Sequence, residues 1–343
     1  MTRRGVRRCW RGAMATAVFA ASAAPAPAQA PFFRSLEPLA VTLRADLRAL
    51  LRDRNPDTSI WRGATLTWED SAGPRSITLR VRTRGLFRLR ACDFPPIRLR
   101  FAADSVRGTP WEELRRPKLV THCGPRNEYE QNLLQEYAVY RVLQLLTPAS
   151  FQARLLRMTY EDESGAERPV TRYAIVTEDP ERLADRLRGT LVDVPGVRFA
   201  RLRSEDAALL GVFEYFIGNT DWSVPGIHNI QLVRTPDTLV AVPFDFDWAG
   251  VIDARYARPD PRFGIRSVRI RVYRGLCQEA AELEPALARF EALRDSIAAV
   301  YRAVPGLEPR TVERTLRYFA EFYEAIANRQ RFVRDVVRPT CLR

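Results

Sequence analysis

In residues 77–84, which read Ile-Thr-Leu-Arg-Val-Arg-Thr-Arg, the apolar side chains of Ile77, Leu79 and Val81 alternate strictly with polar ones. A period of two residues is typical of a β-strand with one buried and one exposed face. Other segments before residue 179 are also extended in pattern, namely Ala64–Trp68, Ile97–Phe101, Pro117–His122, Ala153–Tyr160 and Val170–Thr177. This half of the chain is therefore predicted to form a mainly antiparallel sheet.

Helical patterns interrupt this series once and then dominate. A helix is predicted after Asn127, because Leu133, Tyr137 and Tyr140 recur at helical spacing. Beyond residue 179, helices are predicted at about 204–217, 284–302 and 310–335, and a strand pair at Asn229–Val233 and Leu239–Pro243. The sequence thus predicts an α+β fold of two lobes, with a sheet lobe at 29–178 and a helical lobe at 179–343.

The segment from residue 218 to residue 247 carries the clearest chemical signal. It reads Gly-Asn-Thr-Asp-Trp-Ser at 218–223, His-Asn at 228–229 and Val-Pro-Phe-Asp-Phe-Asp at 242–247. Phosphoryl transfer from a nucleotide needs a carboxylate for the nucleophile's proton and oxygen ligands that hold Mg²⁺. Asp221 is the candidate catalytic carboxylate, and Asn229, Asp245 and Asp247 are the candidate Mg²⁺ ligands. The alternative is that these aspartates are ordinary turn carboxylates.

These motifs resemble the catalytic segments of the atypical kinases related to spore coat protein H and, more distantly, those of the HipA-like kinases. The resemblance implies a two-lobed protein-kinase-like fold that uses ATP and Mg²⁺. It implies that Asp221 is the catalytic-loop aspartate and that Asn229 and Asp245 bind the metal. It also implies that the turn at Arg84 and Gly85 covers the phosphates. The spacing from Asp221 to Asn229 is longer than in protein kinases, and no GxGxxG motif is present.

Lys118 stands out because it is the only lysine among the 54 basic residues. A compact ammonium that contacts phosphates differs in shape from a guanidinium, so a nucleotide site explains why arginine does not replace it. Glu136 lies at the edge of the apolar stripe of the predicted helix and is the expected ion-pair partner of Lys118. The alternatives are a chance surface lysine and a solvated glutamate.

The N-terminus has the composition of a signal peptide. Five arginines and no acidic residue occur in residues 1–28, and residues 13–24 are apolar. Cleavage is predicted within 23–30, preferably after Ala28, and a twin-arginine signal is the less favoured alternative. No later stretch reaches the ~18 apolar residues of a transmembrane helix. The mature chain is predicted to be periplasmic or secreted.

Export decides how the cysteines are interpreted. Four cysteines remain after residue 28, and in an oxidising compartment they are expected to form two disulfides. Three pairings are possible. The preferred one joins Cys92 to Cys123 and Cys277 to Cys341, since Cys92 precedes one strand-like segment and Cys123 ends the next. No CxxC motif is present, so a zinc site is not expected.

Three functions remain open. The first is an exported phosphotransferase that uses ATP and Mg²⁺ on an unknown acceptor, which is acidic if the arginines of residues 249–276 bind it. The second is a pseudokinase-like protein that only binds a ligand or an envelope partner. The third is a metal-dependent hydrolase that uses His228 with the three aspartates. Nucleic-acid binding ranks last, because the net charge of +13 is dispersed along the chain. The oligomeric state is left open.

Overall fold

The computed structural model describes Met1 and residues 31–70, 73–114 and 116–342. The predicted signal peptide, apart from Met1, lies outside the described residues. The strands are β1 Leu39–Ala45, β2 Arg62–Asp70, β3 Gly73–Thr83, β4 Ile97–Phe101, β5 Lys118–Val120, β6 Ala153–Asp162, β7 Val170–Thr177, β8 Thr190–Val192, β9 Ile230–Arg234 and β10 Leu239–Pro243. The helices are α1 Pro31–Arg34, α2 Leu47–Arg52, α3 Phe87–Ala91, α4 Asn127–Leu146, α5 Pro180–Arg186, α6 Ser204–Ile217, α7 Ala280–Ala292, α8 Arg294–Ala303, α9 Pro309–Ile326 and α10 Arg329–Phe332.

The strands β1 to β7 form a closed barrel in the order β1-β2-β3-β4-β5-β7-β6. Neighbouring strands are antiparallel except β1 and β6, which run parallel and close the barrel. Leu43 of β1 lies opposite Leu66 of β2 and Tyr160 of β6, and all three side chains are buried. Inward rows of this kind fill the interior of a small barrel.

The predicted two-lobed fold is wrong, because the sheet closes into a mixed barrel through the parallel pairing of β1 with β6. Closure depends on Leu39–Ala45, which is absent from the predicted strands. The alternation of apolar and polar residues in this segment is weak, because alanine occurs on both faces of the strand, with Ala40 exposed and Ala45 buried. Its partner β6 lies more than a hundred residues away in sequence, and alternation within a segment does not reveal such a pairing.

Helix α4 lies between the barrel and the helical half and is buried along most of its length. Its residues Leu133, Tyr137 and Tyr140 belong to the same apolar cluster as Leu155 and Ile175, which are on the outer face of the barrel. The same cluster includes the apolar residues of α6, α7 and α9. The polar residues of α4 are therefore placed at the junction of the two halves.

The second half contains the antiparallel sheet β10-β9-β8 and the helices α5 to α10. The helix predicted at 284–302 is two helices that meet at Leu293, and the one predicted at 310–335 is interrupted after α9. Helix α6 ends as predicted, at Gly218, whose φ of 69° is left-handed. A Cβ at Gly218 would collide with the hydroxyl of Tyr318. Glycine is required here, and it starts the loop that carries Asp221.

The two predicted disulfides are confirmed. Cys92 is bonded to Cys123 with Cα atoms 4.6 Å apart, and Cys277 is bonded to Cys341 with Cα atoms 4.9 Å apart. The first bond ties the end of α3 to the segment after β5, and the second ties the C-terminal segment to the loop before α7. Among the described residues, no helix combines the length and the apolar character that crossing a membrane requires.

Replacement of Cys277 and Cys341 by serine is expected to lower the free energy of unfolding by about 2–4 kcal/mol, because the bond closes a loop of 64 residues in the unfolded chain. Urea denaturation of the variant and of the wild type measures the difference.

Thiol titration of the denatured, unreduced mature chain should find close to no free thiol. Two or more reactive thiols in that titration would contradict the disulfide assignment.

Candidate functional site

Asp221, the candidate catalytic carboxylate, lies in a network of hydrogen bonds in the loop after α6. Its Oδ1 is 2.8 Å from Nε2 of His228, and its Oδ2 accepts a hydrogen bond from Nδ2 of Asn229 at 3.0 Å. The amide of Asp221 donates to Oδ1 of Asn219 at 2.9 Å. The side chain of Asp221 is 35% exposed. The carboxylate is therefore oriented by its neighbours and still accessible from solvent.

The hairpin of β9 and β10 brings Asn229 and Asp245 together. Asn229 directly precedes β9 and Asp245 follows shortly after β10, and the amide of Phe244 donates to the carbonyl of Asn229 at 3.0 Å. Both residues have a left-handed backbone, with φ of 52° at Asn229 and 63° at Asp245. Such conformations cost free energy for residues other than glycine and cluster at functional sites. A second hydrogen bond, from the Asp245 amide to the hydroxyl of Tyr140 at 3.0 Å, ties this turn to α4.

Arg88 of α3 lies at the centre of the carboxylates. Its guanidinium is 2.7 Å from Oδ1 of Asp245, 3.2 Å from Oδ2 of Asp247 and 3.5 Å from Oε2 of Glu136. Arg88 is only 8% exposed. A single buried cation thus joins α3, α4 and the loop after β10.

One guanidinium does not fully compensate for the buried carboxyl groups of Asp247 and Glu136 and the partly buried one of Asp245. Burial raises the pKa of Asp247 to about 7 and that of Glu136 to about 8, although Arg88 acts in the opposite direction. At Asp245 burial also raises the pKa, but Arg88 and Arg84 outweigh it, and the pKa falls below its usual range. Oε1 of Glu136 has no hydrogen-bond partner among the described residues. The carboxyl groups around Arg88 therefore outnumber its one positive charge, and Asp247 and Glu136 keep their protons up to about neutral pH.

Lys118 and Arg84 form a positive region next to Asp245, whose pKa both of them lower. Neither side chain makes an ion pair within the part of the chain that the structure describes. The Nζ atom of Lys118 lies 4.3 Å from the centroid of the Phe244 ring. Burial, together with the charge of Arg84, lowers the pKa of Lys118 to about 7, and burial also lowers the pKa of Arg84. A bound anion would stabilise the charged form of both residues.

The structure brings the predicted site residues into one region between the barrel and the β9–β10 hairpin. Arg84 and Gly85 follow β3, and Gly85 has a φ of 97° in the turn that leads to α3. The predicted ion pair of Lys118 with Glu136 is not formed among the described residues, since Glu136 pairs with Arg88 instead. The proposed roles of all these residues remain predictions.

Sequence reasoning missed three members of the site: Arg88, Tyr140 and Tyr256. The hydroxyl of Tyr256 donates to Oδ2 of Asp247 at 2.8 Å. Tyr140 was predicted only as part of an apolar stripe. Arg88 lies only four residues after Arg84, so the sequence places it near the same turn. Arginine is so abundant in this chain that this proximity does not distinguish Arg88 from other arginines.

The oxygen atoms of Asp245, Asp247 and Asn229 are suitable ligands for a Mg²⁺ that is also bound by phosphate. In the described ranges, no group of three His, Cys, Asp or Glu side chains is arranged to hold a metal ion. Mg²⁺ usually binds through one or two carboxylates together with water and substrate phosphates. Asp245, Asp247 and Asn229 therefore fit a Mg²⁺ that arrives with a phosphate ligand, rather than a metal centre made of side chains alone.

A sizeable cavity lies elsewhere on the barrel and does not coincide with this site. It measures about 790 Å³ and lies against β1, β2 and β3, with Arg44, Ile60 and Thr78 in its wall. None of the predicted site residues lines it. The candidate site is distinguished instead by its charges and hydrogen bonds.

Comparison of the chain with models of known protein families, with curated proteins and with solved structures finds no match. The predicted resemblance to the kinases related to spore coat protein H and HipA is wrong. It implies a two-lobed fold, whereas the sheet of this chain is a closed barrel, and no family model supports it. The site has to be interpreted from its own geometry.

Replacement of Arg88 by methionine is expected to lower the free energy of unfolding by about 3–5 kcal/mol, because it leaves buried carboxylates without their cation. Denaturation in urea at pH 7 measures the loss. The matched control is Arg90→Met, since Arg90 is on the same helix, is exposed and has no ion pair among the described residues. Equal losses in the two variants would show that Arg88 does not hold the junction together.

The raised pKa values predict how stability changes with pH. Asp247 and Glu136 keep their protons to a higher pH in the folded chain than in the unfolded one. Their contribution to stability is therefore complete below about pH 4 and is lost as the pH rises towards 7 and 8. Asp247→Asn should flatten the decrease in Tm between pH 5 and pH 7, and thermal melts across this range provide the test. A decrease as steep as that of the wild type would contradict the raised pKa of Asp247.

Proposed function

We propose that the protein is an exported phosphotransferase that uses ATP together with Mg²⁺. The observation that carries the proposal is the separation of charge within the site. Lys118 and Arg84 form no salt bridge among the described residues, although both lower the pKa of the nearby Asp245, while three carboxyl groups lie around the guanidinium of Arg88. A ligand that carries phosphates and a divalent cation complements both regions at once, and MgATP is such a ligand.

Each side chain has a defined task in the proposed reaction. Lys118 binds the phosphates as a point charge, and Arg84 offers them a planar fork of donors. Asp245, Asp247 and Asn229 would hold Mg²⁺, which neutralises phosphate charge when it is bound. Asp245 remains available for this, because its Oδ2 makes no hydrogen bond among the described residues and its side chain is 30% exposed.

Asp221 is the proposed proton acceptor. The hydroxyl of the acceptor loses its proton to the Asp221 carboxylate, and the oxygen attacks the γ-phosphorus of ATP. The bond from that phosphorus to the bridging oxygen breaks, and ADP leaves. His228 and Asn229 orient the carboxylate through its two oxygens, so it faces the acceptor in one position.

Export is the second part of the proposal. The two disulfides are compatible with an oxidising compartment, and disulfides are rare in the cytosol. The predicted signal peptide at residues 1–28 supplies the route. The acceptor would then be an extracytoplasmic molecule with a free hydroxyl group.

A non-catalytic protein that binds a phosphorylated ligand is the second candidate. It is favoured by the ion pairs of Arg88, which already occupy one oxygen each of Asp245 and Asp247. Transfer of labelled phosphate from ATP separates the two candidates, because a binding protein would retain the nucleotide unchanged. A hydrolase with a transition-metal centre gains no support from the grouping of the described side chains.

Calorimetric titration with ATP, with and without Mg²⁺, tests the proposed roles of Asp245 and Lys118 in nucleotide binding. Asp245→Asn should abolish the part of the affinity that depends on Mg²⁺, and Lys118→Met should weaken ATP binding by about tenfold or more with or without Mg²⁺. Lys118→Met should not lower Tm at pH 7, because it removes a cation whose pKa is depressed by burial. Loss of binding in this variant is then not a loss of folding.

The matched control is Asp253→Asn. Asp253 also has a left-handed backbone, with φ of 57° against 63° at Asp245, and asparagine tolerates this conformation. It is exposed to a similar degree and lies outside the carboxylate group around Arg88. Nucleotide affinities that change equally in Asp245→Asn and Asp253→Asn would refute the proposed metal ligands.

A further inference from the structure

Arginines lie directly opposite one another on the outer face of the barrel. Across β3 and β4, Arg80 is opposite Arg100 and Arg82 is opposite Arg98. Across β4 and β5, Arg98 is opposite Lys118. We refer to Arg80, Arg82, Arg98 and Arg100 as the arginine ladder. Like charges that face each other directly across a sheet destabilise it, so folding alone does not favour this arrangement.

Few carboxylates within the chain compensate for the positive charge of the arginine ladder. None of its arginines forms an ion pair among the residues described by the structure, and Nε of Arg98 is buried without a hydrogen-bond partner. The charges of Arg84 and Arg82 add to burial in lowering the pKa of Arg98, and Asp179 opposes them only in part. The positive charge of this face is therefore available to an external anion.

An aromatic side chain holds part of the ladder in place. The guanidinium of Arg82 lies 4.8 Å from the centroid of the Trp61 ring, and Arg100 lies 5.9 Å from it. Arg80 donates a hydrogen bond to the carbonyl of Trp61 at 2.9 Å. Cation–π contacts of this kind restrict the side chains but leave the N–H donors free.

We propose that the arginine ladder binds an extended acidic segment of a polypeptide. Alternate residues of a strand are about 6.8 Å apart, and neighbouring strands are about 4.8 Å apart. An extended peptide has the same repeat, so carboxylates at every second position meet Arg80 and Arg82, or Arg98 and Arg100, in register. Strands of a closed barrel are already paired on both sides, so the peptide binds through side chains.

The ladder leads into the candidate site. On β3 and the turn after it, Arg80 and Arg82 are followed at the same spacing by Arg84, and Lys118 continues the row from Arg98. This inference rests on the proposed function, since it assigns the acceptor of the phosphoryl group. The acceptor is a protein in which an acidic extended segment adjoins a hydroxyl side chain.

Peptide binding without nucleotide tests the ladder separately from the transfer reaction. The first probe is a peptide of four Asp-Thr repeats, and the second has the same composition with its aspartates contiguous. The alternating peptide should bind more tightly to the wild type. The triple variant Arg82→Gln, Arg98→Gln and Arg100→Gln should bind it at least about tenfold more weakly, since each exposed charge pair contributes modestly.

The control variant carries Arg44→Gln, Arg48→Gln and Arg52→Gln, which change the net charge equally on β1 and α2. Its affinity for the alternating peptide should stay within about twofold of the wild type. An equal loss in both triple variants would overturn the ladder in favour of general charge attraction. Tighter binding of inorganic polyphosphate or of anionic vesicles than of the alternating peptide would also overturn it.

The two proposals can fail separately. If the wild type binds MgATP but does not distinguish the two peptides, the ladder proposal is wrong and the phosphotransferase proposal stands. If it prefers the alternating peptide but does not bind MgATP, the ladder proposal stands and the phosphotransferase proposal is wrong.

Discussion

The ion pairs of Arg88 are the interaction on which the candidate site depends. The guanidinium belongs to α3, which follows the third strand of the barrel, and its partners belong to α4 and to the loop after β10. Three carboxylates that lie so close together repel one another in a buried environment, so their grouping requires a cation. A five-residue helix is too short to be stable alone, and α3 is held by the bond between Cys92 and Cys123. Arg54 adds hydrogen bonds to the carbonyls of Leu89 and Asp93, each at 3.0 Å.

The barrel contributes to the site through its outer face rather than its interior. Its inner residues are apolar and form a cluster that contains no ionisable residue of the site. The outward positions of β3, β4 and β5 carry the cations, and the outward positions of β5, β6 and β7 pack against α4. One sheet surface thus combines a charged region with an apolar one. The site lies where the two meet, beside Lys118, and burial there makes each charge more effective.

Much of the local structure could be predicted from the sequence. The strands from β2 to β7 and the helices α4 and α6 follow from the spacing of their apolar residues, although β5 has only three residues and both helices are buried on more than one face. Both disulfides also followed from the position of cysteines relative to those strands. The sequence did not predict barrel closure, because a parallel pairing between distant strands leaves no local pattern. It did not predict the ion pairs of Arg88 either, since one arginine with particular partners cannot be recognised among so many. Lys118 is singled out because its type is unique in the chain, and its role stays a prediction, whereas its expected partner Glu136 pairs with Arg88 instead.

The parallel pairing of β1 with β6 also determines the order in which the chain can fold. A chain that emerges N-terminus first forms the hairpin of β1 and β2 early, because these strands are close in sequence. The other edge of β1 stays open until residues 153–162 have emerged, since its partner β6 lies there. An unpaired strand edge can associate with other chains, and contacts between distant residues form slowly. The period between the emergence of β2 and that of β6 is therefore when the nascent protein is most exposed to aggregation, and when a chaperone that covers β1 would have its greatest effect.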